Sequence, residues 1–212
     1  GNASIVYRYS KAINDTTMQQ FGAYLAKLNK WGEGALSGKI GDQIKNLGLL
    51  GELQNAEGRE ALVADFWFPD TEVAGARDRE GSFSGFFFGA KGGFNAESHN
   101  HNDVGSCLMY FDGKPCLIDL GREEYVAKTF SSRRYEIWTM QSGYHNLPVI
   151  NGADQQEGAK YMARNSSFTA NSRSATFSTE IAGAYPEKAQ VKSWVRSYTL
   201  NRGKSFVIKD KF

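Results

Sequence analysis

At 212 residues the chain is long enough for one large domain or two small ones, at roughly 100 to 200 residues each, and 41% hydrophobic with 23% charged residues excludes a disordered tail or a fibre. Lys and Arg (25) against Asp and Glu (23) leave a net charge of +2, a balance that gives no reason to propose a nucleic-acid or membrane partner. No apolar run approaches the roughly 18 residues of a spanning helix, and the amino end lacks the basic-then-apolar layout of a signal peptide.

In chain order, the first 56 residues read as helical. Phe21, Tyr24, Leu25 and Leu28 recur at helical spacing, Thr16 or Thr17 can cap the start, and Gly32 stands just past the end. A glycine-rich connector, Gly32 to Gly41, leads to Asp42 as the cap of a second helix with Ile44, Leu47, Leu50 and Leu53 as its stripe. These helices are expected to pack on further helices upstream. The chain starts without Met and stops at Lys209 to Phe212 inside a strand-like run, so it is expected to be a piece of a longer protein.

From about residue 60 the texture changes to short runs rich in β-branched and aromatic residues. Leu62 to Phe68, Gly85 to Ala90, Ser106 to Phe111, Pro115 to Leu120, Ser167 to Ala170, Ser174 to Glu180, Val191 to Leu200 and Ser205 to Lys209 are separated by Gly, Asn, Asp and Pro clusters. That spacing predicts an antiparallel sandwich or barrel over residues 57–212, and a mostly β fold. Tyr125 to Met140 reads as a short helix or an ordered loop. Asp112-Gly113 predicts a two-residue hairpin that sets Cys107 opposite Ile118, with Cys116 diagonal to Cys107 on the same face at roughly 7 to 8 Å, too far for a disulfide. Two buried thiols are expected.

Two familiar signatures fail on inspection. Gly34 to Gly38 followed by Lys39 and Ile40 is one residue short of a P-loop and lacks its Ser or Thr, and Gly81 to Gly85 carries Phe83 where a nucleophile elbow needs serine. The informative stretch is Gly92 to Gly105, which holds His99 and His101, two of the three histidines. In extended backbone their rings leave on one face. The third, His145, lies in another polar segment, and Asp119 is embedded in the apolar run Cys116 to Leu120, where a carboxylate needs a cation or hydrogen bonds. Imidazoles with one carboxylate suit zinc. Strict pleating separates His101 from Asp119, so a bend or bulge near Gly105 is expected.

The runs Ala90 to Ser106, Asp112 to Asp119, Thr129 to Ser142 and Tyr144 to Pro148, extending through Asn151-Gly152, resemble the heparinase II/III-like polysaccharide lyases. The resemblance implies an antiparallel β-sandwich preceded by the last helices of an α/α toroid. It implies that His99 is a catalytic histidine and that His101, Asp119 and His145 hold a zinc. It further implies an acidic polysaccharide substrate (heparin- or heparan-sulfate-like, or alginate-like), β-elimination with a tyrosine from the missing N-terminal toroid, and a periplasmic or extracellular location. Arg133 and Arg134 are candidates for substrate carboxylate or sulfate. Among Trp67, Tyr110, Tyr125, Tyr135, Trp138 and Tyr144, candidates to stack on sugar rings, Tyr135 and Tyr144 lie in the polar motif.

Two other readings compete. Gly93 followed by His99 and His101 also fits the opening of a cupin metal motif, but Gly105 and Ser106 stand where that motif expects glutamate. A carbohydrate-binding β-module whose zinc only supports the fold is the non-enzymatic alternative.

Overall fold

The computed structural model describes residues 3–30 and 40–212, and the chain divides into two compact units, Gly1–Leu62 and Val63–Phe212. The first is helical, with α1 (Ala3–Ala12), α2 (Thr16–Leu28) and α3 (Ile40–Asn55). Asp15, not Thr16 or Thr17, caps α2 by accepting from the Met18 N–H at 2.9 Å. The buried face of α2 is Gly22, Ala23 and Ala26, whereas Leu28 of the expected stripe is 63% exposed. Small residues win this face because α1 comes very close: a Cβ on Gly22 would lie 2.9 Å from the Tyr7 backbone. Leu53 is buried as expected, but Ile44 and Leu47 are exposed. The expected cap Asp42 falls inside α3, and Gly32 lies outside the described residues. Among the described residues no helix is long and apolar enough to cross a membrane.

The second unit is antiparallel β. Its strands are β1 (Asp65–Phe68), β2 (Val73–Arg77), β3 (Phe86–Lys91), β4 (Phe94–Asn95), β5 (Cys107–Phe111), β6 (Lys114–Leu117), β7 (Gly158–Met162), β8 (Arg164–Ala170), β9 (Ser174–Glu180), β10 (Val195–Asn201) and β11 (Ser205–Lys211). A five-stranded sheet runs β1-β2-β3-β5-β6, a four-stranded sheet runs β11-β10-β9-β8, and β4 pairs with β7. The two larger sheets bury one core between them, Ala74, Ala76, Phe88, Ala90 and Cys107 facing Ala175, Phe177, Tyr198 and Leu200. Alternation in β9 and β10 turns Ser, Thr and Asn outward between those core residues, as a half-buried strand requires.

β2 escapes a propensity reading because its centre is Ala74-Gly75-Ala76. It is a strand because small side chains fit there, with the Phe66 ring lying over Gly75. The β5–β6 hairpin has the expected turn, Phe111 opposite Lys114 and Tyr110 opposite Pro115, but the register then slips so that Met109 pairs with Leu117. The bulge is therefore in β6, and the expected bend near Gly105 is present as a turn, with Gly105 at φ +83° and the Ser106 N–H donating to the Asp103 carbonyl at 2.9 Å. Both thiols are free, with Cys107 buried and Cys116 exposed, which corrects the expectation of two buried cysteines. Tyr125 to Met140 holds three short 3-10 turns, Ala127–Phe130, Arg134–Glu136 and Trp138–Met140, and a fourth follows at Ser142–Tyr144.

Candidate functional site

The loop between β4 and β5 carries His99 and His101 and is tied at several points. Ahead of β4, Gly93 turns the chain at φ +71°, a left-handed conformation that favours glycine, and donates its N–H to Glu72 Oε2 at 2.7 Å. Lys91 Nζ then donates to Glu97 Oε2 at 3.0 Å and Asp103 Oδ1 at 2.8 Å, so one cation grips the chain on both sides of the histidines. Burial works against the Lys91 charge, but Asp103 and Glu97 outweigh it and its pKa is raised. Gln155, itself buried, accepts from the Val104 N–H at 3.1 Å and donates to the Val104 carbonyl at 2.7 Å, as a neighbouring strand would.

His99 sits at φ +58°, a conformation that is costly for a side chain other than glycine. It is exposed, and its ring meets aromatic rings: Tyr125 stacks at 5.6 Å between centroids with 21° between planes, and Phe130 stands edge-on at 6.1 Å and 88°. The next residue is the anchor. The Asn100 carbonyl accepts from Arg134 Nε at 2.9 Å and Nη2 at 2.8 Å, while Arg134 Nη1 donates to the Thr129 carbonyl at 2.8 Å.

His101, Asp119 and His145 come together. The His101 and His145 ring centroids are 5.5 Å apart, and Asp119 Oδ2 lies 2.7 Å from His145 Nδ1. His145 is buried, with Nε2 3.1 Å from the Thr139 carbonyl. Asp119 Oδ2 also accepts from the Ser106 hydroxyl at 3.2 Å, and Oδ1 from the Gly121 N–H at 3.1 Å. Burial raises the Asp119 pKa, but the His145 contact and these donors hold it down to about 2. Burial likewise lowers His145, and Asp119 more than restores it, so the net direction is up. His101 goes the other way, lowered first by burial and also by positive His145 and Arg134, against the pull of Asp103.

Two imidazoles and a carboxylate are ligand types that a cation such as zinc uses. Both His145 nitrogens face oxygens that can only accept, so either the ring carries both protons or Nε2–H is held by Thr139 and the Nδ1 lone pair is left for a metal shared with Asp119. In the present arrangement Asp119 and His145 close on each other, and no group of three His, Cys, Asp or Glu among the described residues stands ready to hold an ion.

A second layer, which residue types and spacing did not announce, fixes this cluster to the sandwich. Asn146 Nδ2 donates to the Cys107 carbonyl at 2.8 Å and the Ile118 carbonyl at 2.7 Å, joining the segments that carry His145 and Asp119 to the start of β5. The Asn146 carbonyl accepts from Arg196 Nη1 at 2.8 Å, and Arg196 forks onto Asp210 through Nε–Oδ1 at 2.7 Å and Nη2–Oδ2 at 2.8 Å. An inward arginine at position 196, between Tyr198 and the strand end, was the available signal.

The candidates for substrate contact divide. Arg134 is committed to backbone carbonyls, and the Tyr135 hydroxyl accepts from Asn100 Nδ2 at 3.2 Å. Arg133 is exposed and forks onto Glu136 at 2.8 to 3.1 Å. Tyr144 is exposed, with its ring edge-on to Trp138 at 5.3 Å. Trp67 belongs to the core between the sheets. Tyr125 alone of the aromatic candidates stacks on His99.

With this geometry in view, comparison with known proteins adds three findings. The sequence profile of the family described as Heparinase II/III-like, C-terminal, matches residues 62–212. Among solved structures, a heparinase III described as the BT4657 gene product superposes with a TM-score of 0.57 at 18% identity over 93% of this chain. A mutant of the heparan sulfate lyase HepC from Pedobacter heparinus superposes with a TM-score of 0.58 at 12% identity, again over 93%. At these identities the likeness is one of fold, and the chain spans 27% of the length of each of those proteins. No curated protein sequence matches.

Proposed function

The chain belongs to the heparinase II/III-like family, as its C-terminal domain, and on that premise we propose that it is the sandwich part of a polysaccharide lyase that cleaves uronic-acid-containing polymers by β-elimination. The observation that carries the reading is the pairing of an exposed, conformationally strained His99 with a half-buried His101 two residues along the same loop, whose ring lies 5.5 Å from that of the buried His145, itself paired with Asp119. A polymer needs an open site, and His99 is open.

Elimination removes the proton beside the uronate carboxylate and breaks the glycosidic C–O bond to leave a double bond, the departing oxygen taking up a proton. His99 accepts the first proton. The acid that protonates the leaving oxygen comes from a tyrosine of a helical toroid in a longer chain, of which residues 1–56 are the final helices. Arg134 and Lys91 keep the His99 backbone in place, so the imidazole meets substrate without reorganisation. His101, Asp119 and His145 would hold zinc, whose chemistry there is to neutralise the Asp119 charge and stiffen the loop, since elimination consumes no water to activate. The substrate is a heparan-sulfate-like or alginate-like polymer, and meeting such a polymer implies a periplasmic or extracellular location.

The test is the full-length protein incubated with each polymer, following the ultraviolet absorbance of unsaturated uronate ends. His99→Ala should abolish it while leaving metal content intact, and His145→Ala should lose metal. New reducing ends without unsaturation would mark a hydrolase and sink the proposal, as would an active His99→Ala protein.

A further inference from the structure

The aromatic rings around His99 belong to no part of that reaction, yet their placement is fixed. Phe130 is 68% exposed and Tyr125 40% exposed, two large rings displayed together on one loop. They meet edge to face at 5.4 Å and 79°, and His99 contacts both. The arrangement is built, because a single guanidinium sets its spacing: Arg134 holds the carbonyl of Asn100, next to His99, and the carbonyl of Thr129, next to Phe130. Thr129 is buried, and its hydroxyl accepts from the Val126 N–H at 3.0 Å, which fixes the turn between Tyr125 and Phe130. The Arg122 guanidinium lies over the Tyr125 ring, 5.1 Å from its centroid. The exposed Phe130 ring, with a cation held over the neighbouring Tyr125 and an imidazole beside both, matches the two sides of an acidic sugar, the apolar C–H face of the ring and the carboxylate.

We propose that Tyr125 and Phe130 form a sugar-stacking subsite beside His99, with Arg122 receiving the carboxylate of a uronic-acid unit. The proposal rests on the lyase reading for the choice of ligand and adds the residues that recognise it. Two arginines then have separate roles, Arg134 positioning the site and Arg122 meeting substrate.

The probe is an unsulfated uronic-acid tetrasaccharide, titrated into this chain and followed by the side-chain NMR signals of the Tyr125 and Phe130 rings, with its carboxyl-reduced counterpart as the neutral control. Both ring signals should move on titration. Phe130→Ala should weaken binding about tenfold, as loss of one stacking partner is worth roughly 1.4 kcal/mol, and Phe130→Tyr should restore it. Arg122→Gln should weaken the acidic ligand and leave the neutral control unchanged. Unmoved rings, no binding by the unaltered chain, or equal affinity in Phe130→Ala would each overturn the subsite. The two ideas fail separately: rings that respond in a protein whose full-length form makes no unsaturated ends leave the subsite and remove the lyase, and an active enzyme with silent rings does the reverse.

Discussion

His99 and His145 occupy opposite environments. His145 is buried, both nitrogens engaged, and the segment behind it is tied through Asn146 to β5 and β10. His99 is exposed, at φ +58°, with its ring against Tyr125 and Phe130. The difference teaches how one domain divides its labour. His145 is built into hydrogen bonds that would be costly to leave unmade, and His99, proposed to exchange a proton with substrate, is held by its backbone while its ring stays open.

Substituting each residue should therefore fail in a different way, and the largest effect belongs to His99. On the proposed lyase reading, His99→Ala should cost about 10³-fold in kcat, within the range of a lost acid–base group, with the thermal midpoint nearly unchanged. A fall in the midpoint to match the fall in activity would erase the contrast. The next effect is structural. Arg196→Ala removes the fork onto Asp210 and the bond to the Asn146 carbonyl, and should destabilise the sandwich by about 3 kcal/mol in denaturant unfolding. His145→Ala in metal-free protein strands Asp119 and the Thr139 carbonyl and should cost about 2 kcal/mol.

How much of this was legible in the sequence depended on whether the signal was local. Strands with alternating β-branched and aromatic residues, such as Ser174–Glu180, were readable because one strand's own pattern declares its buried face. The helix faces differ from their apolar stripes because Gly22, Ala23 and Ala26 are chosen by the closeness of Tyr7 on another helix, which hydrophobicity does not report. The histidines and Asp119 could be named from residue type and resemblance, and the geometry does gather His101, Asp119 and His145. The fastenings could not be named, since Arg134, Asn146 and Lys91 act through backbone carbonyls or through carboxylates whose positions exist only once the loops are folded.

Acid should expose the anchored side of the comparison. Burial raises the Asp210 pKa, but Arg196 and Trp194 more than reverse this, so the folded value lies below the ordinary one. A depressed carboxylate contributes stability above its unfolded pKa, near 3.9, and loses it as pH falls through the folded value. Unfolding free energy should therefore decline as pH drops below about 4, and Asp210→Asn should flatten that decline. An unchanged slope would mean that the Arg196 fork does not carry the acid sensitivity.

The smallest predicted effect is the one that separates strain from support. Replacing His99 by glycine removes a side chain from left-handed backbone, which favours the folded state by about 1 to 2 kcal/mol, and loosens the unfolded chain, which costs roughly 0.5 to 1 kcal/mol. His99→Gly should therefore raise stability by about 0.5 kcal/mol, while removing the base of the proposed elimination. The matching change at His145, whose φ is −93°, has no left-handed strain to release and can only lose bonds. If His99→Gly is less stable than the unaltered chain, the φ of +58° is not a cost borne for the site, and the ring contacts with Tyr125 and Phe130 contribute more to folding than to recognition.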